Sequence, residues 1–159
     1  MERVWSPWRN EYIQAQHGPD EGCIFCDKPA GEDDEAAQIL ARAERAFVML
    51  NAYPYNPGHL MVAPFRHTGT LEDLAPEELA DASTLLQRSV RALKEASRPD
   101  GFNVGMNLGL VAGAGIPGHL HWHVVPRWSG DTNFVTVLGE TRVLPELLAE
   151  TYSKLKPLF

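Results

Sequence analysis

His119-Leu-His-Trp-His-Val-Val125 places a histidine at every second position and closes on two β-branched residues, the pattern of an extended strand. Successive side chains of a strand point to opposite faces, so His119, His121 and His123 share one face while Leu120, Trp122 and Val124 share the other. Three of the chain's six histidines thus stand in a row. A rise of ~3.3 Å per residue sets His119 and His123 roughly 13 Å apart along the backbone. Zinc holds an imidazole nitrogen at about 2.0–2.1 Å, so one ion cannot gather all three from a straight strand, and the histidines must divide their work.

The approach to this row is Gly109-Leu-Val-Ala-Gly-Ala-Gly-Ile-Pro-Gly118, with four glycines in ten residues. Glycines let backbone N–H groups come close to a phosphate and form an anion-binding nest. A neutral histidine beside such a nest can attack phosphorus with one ring nitrogen while a hydrogen bond to the other fixes its tautomer. Phosphate chemistry is the economical reading of the two segments together.

Outward from the histidine row, Ala46-Phe-Val-Met-Leu50 and His59-Leu-Met-Val-Ala63 are short apolar runs around Asn51-Ala-Tyr-Pro-Tyr-Asn-Pro-Gly58, which predicts a hairpin. Leu79, Leu85, Leu86, Val90 and Leu93 recur near helical spacing, with Pro76 suited to a first turn and Pro99 just beyond, which predicts one long helix from Pro76 to about Ala96. Phe102 to Asn107 reads as a strand, His119 to Pro126 as another, and Leu144 to Leu155 as a C-terminal helix. Asp27 to Gln38, with its acidic run Glu32-Asp33-Asp34-Glu35, reads as a solvated loop. The expected fold class is α+β, an antiparallel sheet with one long central helix and a C-terminal helix, its strands joined mostly by turns.

At 159 residues one domain is expected, burying roughly two-thirds of the surface of its unfolded chain. Hydrophobic residues at 44% and charged ones at 22% are ordinary for a globular protein. The net charge of −7, with acids spread along the chain, argues against a general grip on nucleic acid, so any phosphate site must be local. The first residues lack the apolar segment of a signal peptide and no stretch approaches the ~20 apolar residues of a membrane span, so a cytoplasmic protein with no membrane partner is expected. Residues 1–20, with Trp5, Trp8 and Tyr12 in a polar setting, read as an arm with a short helical turn.

The two cysteines, Cys23 and Cys26, are compatible with a redox motif or with half a metal site. A thioredoxin-like motif would sit in a βαβ unit, which the chain does not present, whereas His67 and His119 are available to complete a Cys₂His₂ tetrahedron. Zinc is the favoured reading, one per chain in a closed structural site, and no organic cofactor is expected.

His119-Leu-His-Trp-His-Val-Val125 with Pro126-Arg127 resembles the His-φ-His-φ-His-φ-φ signature of the histidine triad (HIT) superfamily. The resemblance extends to Phe47-Val-Met-Leu-Asn51, to Asn56-Pro-Gly-His-Leu-Met-Val-Ala-Pro-Phe-Arg-His67 and to Cys23-Ile-Phe-Cys26. It covers residues 22–127, leaving 1–20 as an arm and 128–159 as a C-terminal extension with a helix. Trp5-Ser-Pro-Trp-Arg9 and Arg127-Trp-Ser-Gly-Asp-Thr-Asn-Phe134 resemble a branch related to diadenosine tetraphosphate phosphorylases.

The resemblance implies a nucleotide-binding fold, usually a homodimer, in which the middle histidine, here His121, forms a covalent nucleotidyl intermediate. It implies phosphate or leaving-group contacts for His123, a ribose-holding role for Asn51 and a phosphate approach for Asn107, and it supports Cys23, Cys26, His67 and His119 as metal ligands. His59 is either a structural histidine or one near the active face. Many relatives carry Gln followed by Ser or Thr where Gly115-Ile116 stands, so in this chain backbone amides must orient the phosphate. Expected, then, is a nucleotidyl transferase or hydrolase acting on dinucleoside polyphosphates of adenine or guanine. Three alternatives stay open: a nucleoside phosphoramidate hydrolase, a zinc-containing nucleotide-binding module without turnover, and a three-histidine metalloenzyme.

Overall fold

The computed structural model describes residues 22–131 and 146–159. The arm at 1–20 and the residues from 132 to 145, including Leu144, lie outside the described residues. Five antiparallel strands, β1 (Ile39–Arg42), β2 (Ala46–Leu50), β3 (Leu60–Pro64), β4 (Gly101–Met106) and β5 (Trp122–Arg127), form one sheet in the order β1-β2-β3-β5-β4. The expected hairpin is β2–β3, in register from Ala46↔Pro64 to Leu50↔Leu60. Turns join β1 to β2 and β2 to β3. As expected from their order in the sequence, the long helix intervenes between β3 and β4, and the glycine-rich segment between β4 and β5.

Alternation along the strands separates two apolar layers. Val48, Leu50, Leu60, Val62 and Val124 point to one side and pack with Ala82, Leu85, Ala92 and Leu93 of the long helix α3 (Pro76–Ser97). Tyr152 and Leu155 of the C-terminal helix α4 (Leu148–Leu155) join the same layer. Phe47, Met49, Met61 and Ala63 point to the other side, where Phe25 of α1 (Ile24–Ala30) closes over them with Ile39.

Three expectations are corrected. Asp27–Gln38 is not an open loop: it holds the end of α1 and a turn of helix α2 (Asp34–Ala37), capped by the Asp33 side chain accepting from the Ala36 N–H at 2.9 Å. The acidic run supplies that cap, a local use of charge that composition alone does not reveal. Strand β1 was not expected, because Ile39-Leu-Ala is too short to declare a period. The histidine strand starts at Trp122 rather than His119, because the Leu120 N–H donates to the Thr68 carbonyl at 2.7 Å instead of continuing the ladder to β3. His119, Leu120 and His121 therefore form a lead-in to β5, held by the segment that follows β3.

Two glycines allow these segments to close on one another. Gly58, at φ 80°, lies so near α3 that an added Cβ would meet the Leu93 side chain at 2.9 Å. A Cβ on Gly69 would collide with the Pro117 carbonyl, so only glycine lets the segment carrying His67 run against the glycine-rich loop.

Candidate active site and metal centre

The three histidines of the row divide as their spacing requires. His119 is fully buried, and its Nε2–H donates to the Pro64 carbonyl at 2.9 Å. That bond leaves Nδ1 to face outward, 3.2 Å from Cys23 Sγ and 3.5 Å from Cys26 Sγ. Cys26 Sγ also lies 3.3 Å from Nδ1 of His67. One ligand atom from each of Cys23, Cys26, His67 and His119 falls within 4.8 Å of the others, the size of a tetrahedral first coordination sphere.

Two thiols and two imidazoles, with His119 oriented by a carbonyl on its far nitrogen, are the donor set and outer support of a borderline-soft cation. The residues fit such an ion. Burial, followed by the neighbouring Cys23 thiol, pushes the Cys26 thiol up to about 11, and a coordinated cation reverses this by holding the thiol deprotonated. Burial likewise lowers the pKa of His119, which keeps the imidazole neutral as a ligand must be.

His121 is 6% exposed and donates its Nδ1–H to the His119 carbonyl at 2.9 Å. The neutral ring therefore carries its lone pair on Nε2. Burial lowers its pKa, against the opposing effect of the hydrogen bond to the His119 carbonyl, so the imidazole is unprotonated at neutral pH. Nε2 is thus available as a nucleophile.

His123 pairs in register with Met61 of β3 and Gly105 of β4, and its Nδ1 lies 2.9 Å from His59 Nε2. His59 is fully buried, and its Nδ1 accepts the Tyr55 N–H at 3.1 Å. The neutral His59 therefore carries its proton on Nε2 and donates it to His123 Nδ1, which leaves the His123 proton on Nε2. The rings of His121 and His123 meet edge to face with centroids 4.9 Å apart. A ring with its lone pair on Nε2 thus stands beside a ring with its proton on Nε2, the combination that pairs a nucleophile with a proton donor.

Asn51 follows β2; its Oδ1 accepts from the Tyr53 N–H at 2.9 Å and its Nδ2 faces His59 Nδ1 at 3.4 Å. Asn107 follows β4, and its Nδ2 donates to the Gly113 carbonyl at 3.2 Å, bracing the glycine-rich loop. In that loop Ala114 donates to Gly109 and His119 to Ile116, while the N–H groups of Gly115 and Ile116 take no acceptor among the described residues. Ile116 packs at the edge of the layer that contains Phe25.

Sequence reasoning left His59 between two roles and did not single out Asn56 or Phe25. A signal for His59 was present: in the phase of β3 it shares a face with Met61, the partner of His123. Asn56, 6% exposed, donates to the Pro126 carbonyl at 2.9 Å and to Asp131 at 2.7 Å, tying the turn that carries Tyr55 and His59 to the end of β5. The Arg127 guanidinium beside Asp131 holds that carboxyl well below the usual range. Partners 70 and 75 positions away leave no local trace.

Fold and site together define a histidine cluster on a five-stranded antiparallel sheet, and comparison with known proteins identifies the family. The HIT domain model matches residues 32–130, and the chain belongs to the HIT family. It is 43% identical over 158 residues to a Mycobacterium tuberculosis protein named AP-4-A phosphorylase, covering 95% of this chain and 80% of that one. A Schizosaccharomyces pombe protein named bis(5'-nucleosyl)-tetraphosphatase (asymmetrical) is 32% identical over 95 residues, 60% of this chain and 52% of that protein. The crystal structure of a Zn-bound histidine triad family protein from Mycobacterium smegmatis superimposes with a TM-score of 0.69 at 31% identity, over 86% of this chain and 92% of that one.

Proposed function

We propose that the chain, working as one domain, is a nucleotidyl transferase that cleaves dinucleoside polyphosphates through a nucleotidyl-His121 intermediate. The observation that carries this reading is the Nδ1–H bond of His121 to the His119 carbonyl, which leaves the lone pair on Nε2 of a ring that stands beside His123. The Nε2 lone pair attacks the α-phosphorus, the bond from phosphorus to the bridging oxygen breaks, and the electron pair leaves with that oxygen. His123 Nε2–H, set by His59, gives it a proton. The amides of Gly115 and Ile116 orient the phosphate, and Asn51 and Asn107 keep the ribose and phosphate roles the resemblance implies. Phosphate or water then takes the nucleotidyl group from His121.

The supporting relatives differ in acceptor. The M. tuberculosis name favours phosphorolysis; the S. pombe name favours hydrolysis. We favour phosphate, because Gly115-Ile116 offers amides and no hydroxyl, an arrangement suited to a second anion. The test is diadenosine tetraphosphate with millimolar phosphate: ATP and ADP are expected, with turnover at least about tenfold slower without phosphate, a ~1.4 kcal/mol difference. ATP and AMP at an undiminished rate would make the protein a hydrolase. Acid-quenched protein should carry the nucleotide on His121, and His121→Ala should abolish turnover while binding stays within about tenfold.

Zinc is proposed for the Cys₂His₂ quartet, one ion per chain, closed to substrate and without a catalytic water. We also propose a homodimer formed through β4. On the opposite edge of the sheet, the Ile39 carbonyl accepts from Tyr152 and Lys156 and the Leu40 carbonyl from Lys156, so β1 is covered. Among the described residues β4 forms the other edge, with Val104 half exposed and Leu108, Leu110 and Val111 exposed just beyond it. An apolar open edge is the place where a second copy adds its own strand.

A further inference from the structure

Phe25 lies between the two cysteines of the quartet, is fully buried, and belongs to no step described above. Its ring packs in a tilted arrangement against His121, with centroids 4.6 Å apart and planes 31° apart, and its centroid lies 5.3 Å from that of His119. The hydrogen bond from His121 Nδ1 to the His119 carbonyl fixes one atom of the imidazole and its tautomer. It leaves the ring free to rock about that N–H···O axis. Two rings stand against such rocking: His123, at an interplanar angle of 71°, and Phe25, at 31°.

Phe25 is itself held from both ends of its turn. Cys23 and Cys26 fall on the same side of α1 at a spacing of three residues, and the Cys26 and Asp27 N–H groups both donate to the Cys23 carbonyl at 2.8 Å. The turn thus presents both thiols to His67 and His119 and the Phe25 ring to the sheet.

We propose that Phe25 is a positioning residue for His121: the Cys23–Cys26 clamp fixes α1, and α1 holds the Phe25 ring against the imidazole, so the clamp sets the direction of the nucleophile. The inference rests on His121 being the nucleophile. It gives the metal centre an influence on the chemistry without contact with substrate. A shift of ~1 Å in a reacting atom is enough to cost about 10²-fold in rate.

The test uses the full chain and Phe25→Leu, which keeps an apolar side chain and removes the flat ring. Expected are one zinc per chain, KM within about twofold and kcat at least about tenfold lower, on the scale of such a misplacement. Phe25→Tyr, which keeps the ring, should recover most of the rate. A second reading needs no turnover: in nucleotide-free protein labelled with ¹⁵N-histidine, wild type should show His121 wholly as the Nδ1–H tautomer with a ring-current shift. Phe25→Leu should lose that shift and broaden the signal.

An unchanged kcat with zinc retained overturns the inference, and so does a raised KM at unchanged kcat, which would make Phe25 a nucleotide contact. If Phe25→Leu fails to fold, Phe25→Met and the wild-type spectrum decide: no ring-current shift at His121 sinks the idea. Failure of the nucleophile assignment looks different, because no nucleotide is then trapped on His121 even in wild type.

Discussion

In the proposed mechanism His59 acts through His123 and needs no contact of its own with the substrate. Because its Nδ1 accepts the Tyr55 N–H, only its Nε2 has a proton to give, and that choice is handed on to His123. Removing it in His59→Ala leaves His123 free to place its proton on either nitrogen. We predict a fall in kcat of about tenfold or more with KM nearly unchanged, since proton donation of this kind contributes typically 10²–10⁴-fold. Steady-state kinetics over a range of diadenosine tetraphosphate concentrations reads both quantities, and an unchanged kcat would exclude the relay. Asn56 acts one step further out. Asn56→Ala deprives the buried Pro126 carbonyl of its donor and should cost about 1–3 kcal/mol in urea denaturation, the ordinary penalty for an unsatisfied buried acceptor.

At the scale of elements, two devices fasten segments to the sheet. The first is the cysteine turn of α1. If the quartet holds a metal, its binding energy is folding energy, so Cys23→Ser or Cys26→Ser should lose both the zinc and a large part of the stability. Elemental analysis and calorimetry on the same samples check this; zinc retained in both variants would refute the assignment. The second is Glu78 in the first turn of α3. It accepts the Ala75 N–H at 2.8 Å and takes a two-pronged bond from Arg66, next to His67, at 2.8 and 2.9 Å. The Arg66 guanidinium and the Ala75 amide hold its carboxyl at about 2, below the ~4.3 of an unfolded glutamate. A depressed carboxylate adds stability that is complete above the unfolded value and lost as pH falls from ~4.3 toward 2. Glu78→Gln should therefore lower Tm at pH 7 and flatten its decline through that acid window. A parallel decline in variant and wild type would show that the pair contributes nothing.

For the whole molecule, the two edges of the sheet set the expectation. Among the described residues β1 is covered by α4 and the residues after it and β4 has no strand on its outer side, so the proposed association through β4 would leave a continuous sheet across the two copies. We predict a dimer in sedimentation equilibrium and a monomer for the double variant Val104→Asp, Val111→Asp, because paired strands would carry these charges into an apolar interface. A monomeric wild type would remove the proposal. Among the described residues no helix is long and apolar enough to cross a membrane.

The alternation of histidines, the hairpin, the long helix and the glycine-rich approach were all legible along the chain, because each is a periodicity or a turn chemistry carried by neighbouring residues. That one ion could not easily gather all three histidines was an expectation from strand spacing, and the fold sets only His119 among the cysteines, with His123 beside His59. Hidden from the sequence were the relations set by distant partners. The Thr68 carbonyl ends the ladder before His121, Pro64 turns His119 toward the cysteines, Tyr55 decides the tautomer of His59, and Phe25 braces His121. A sequence determines which groups are available and in what rhythm. Which nitrogen carries the proton depends on the acceptor that folding brings within 3 Å of it, and that is a property of the tertiary structure alone.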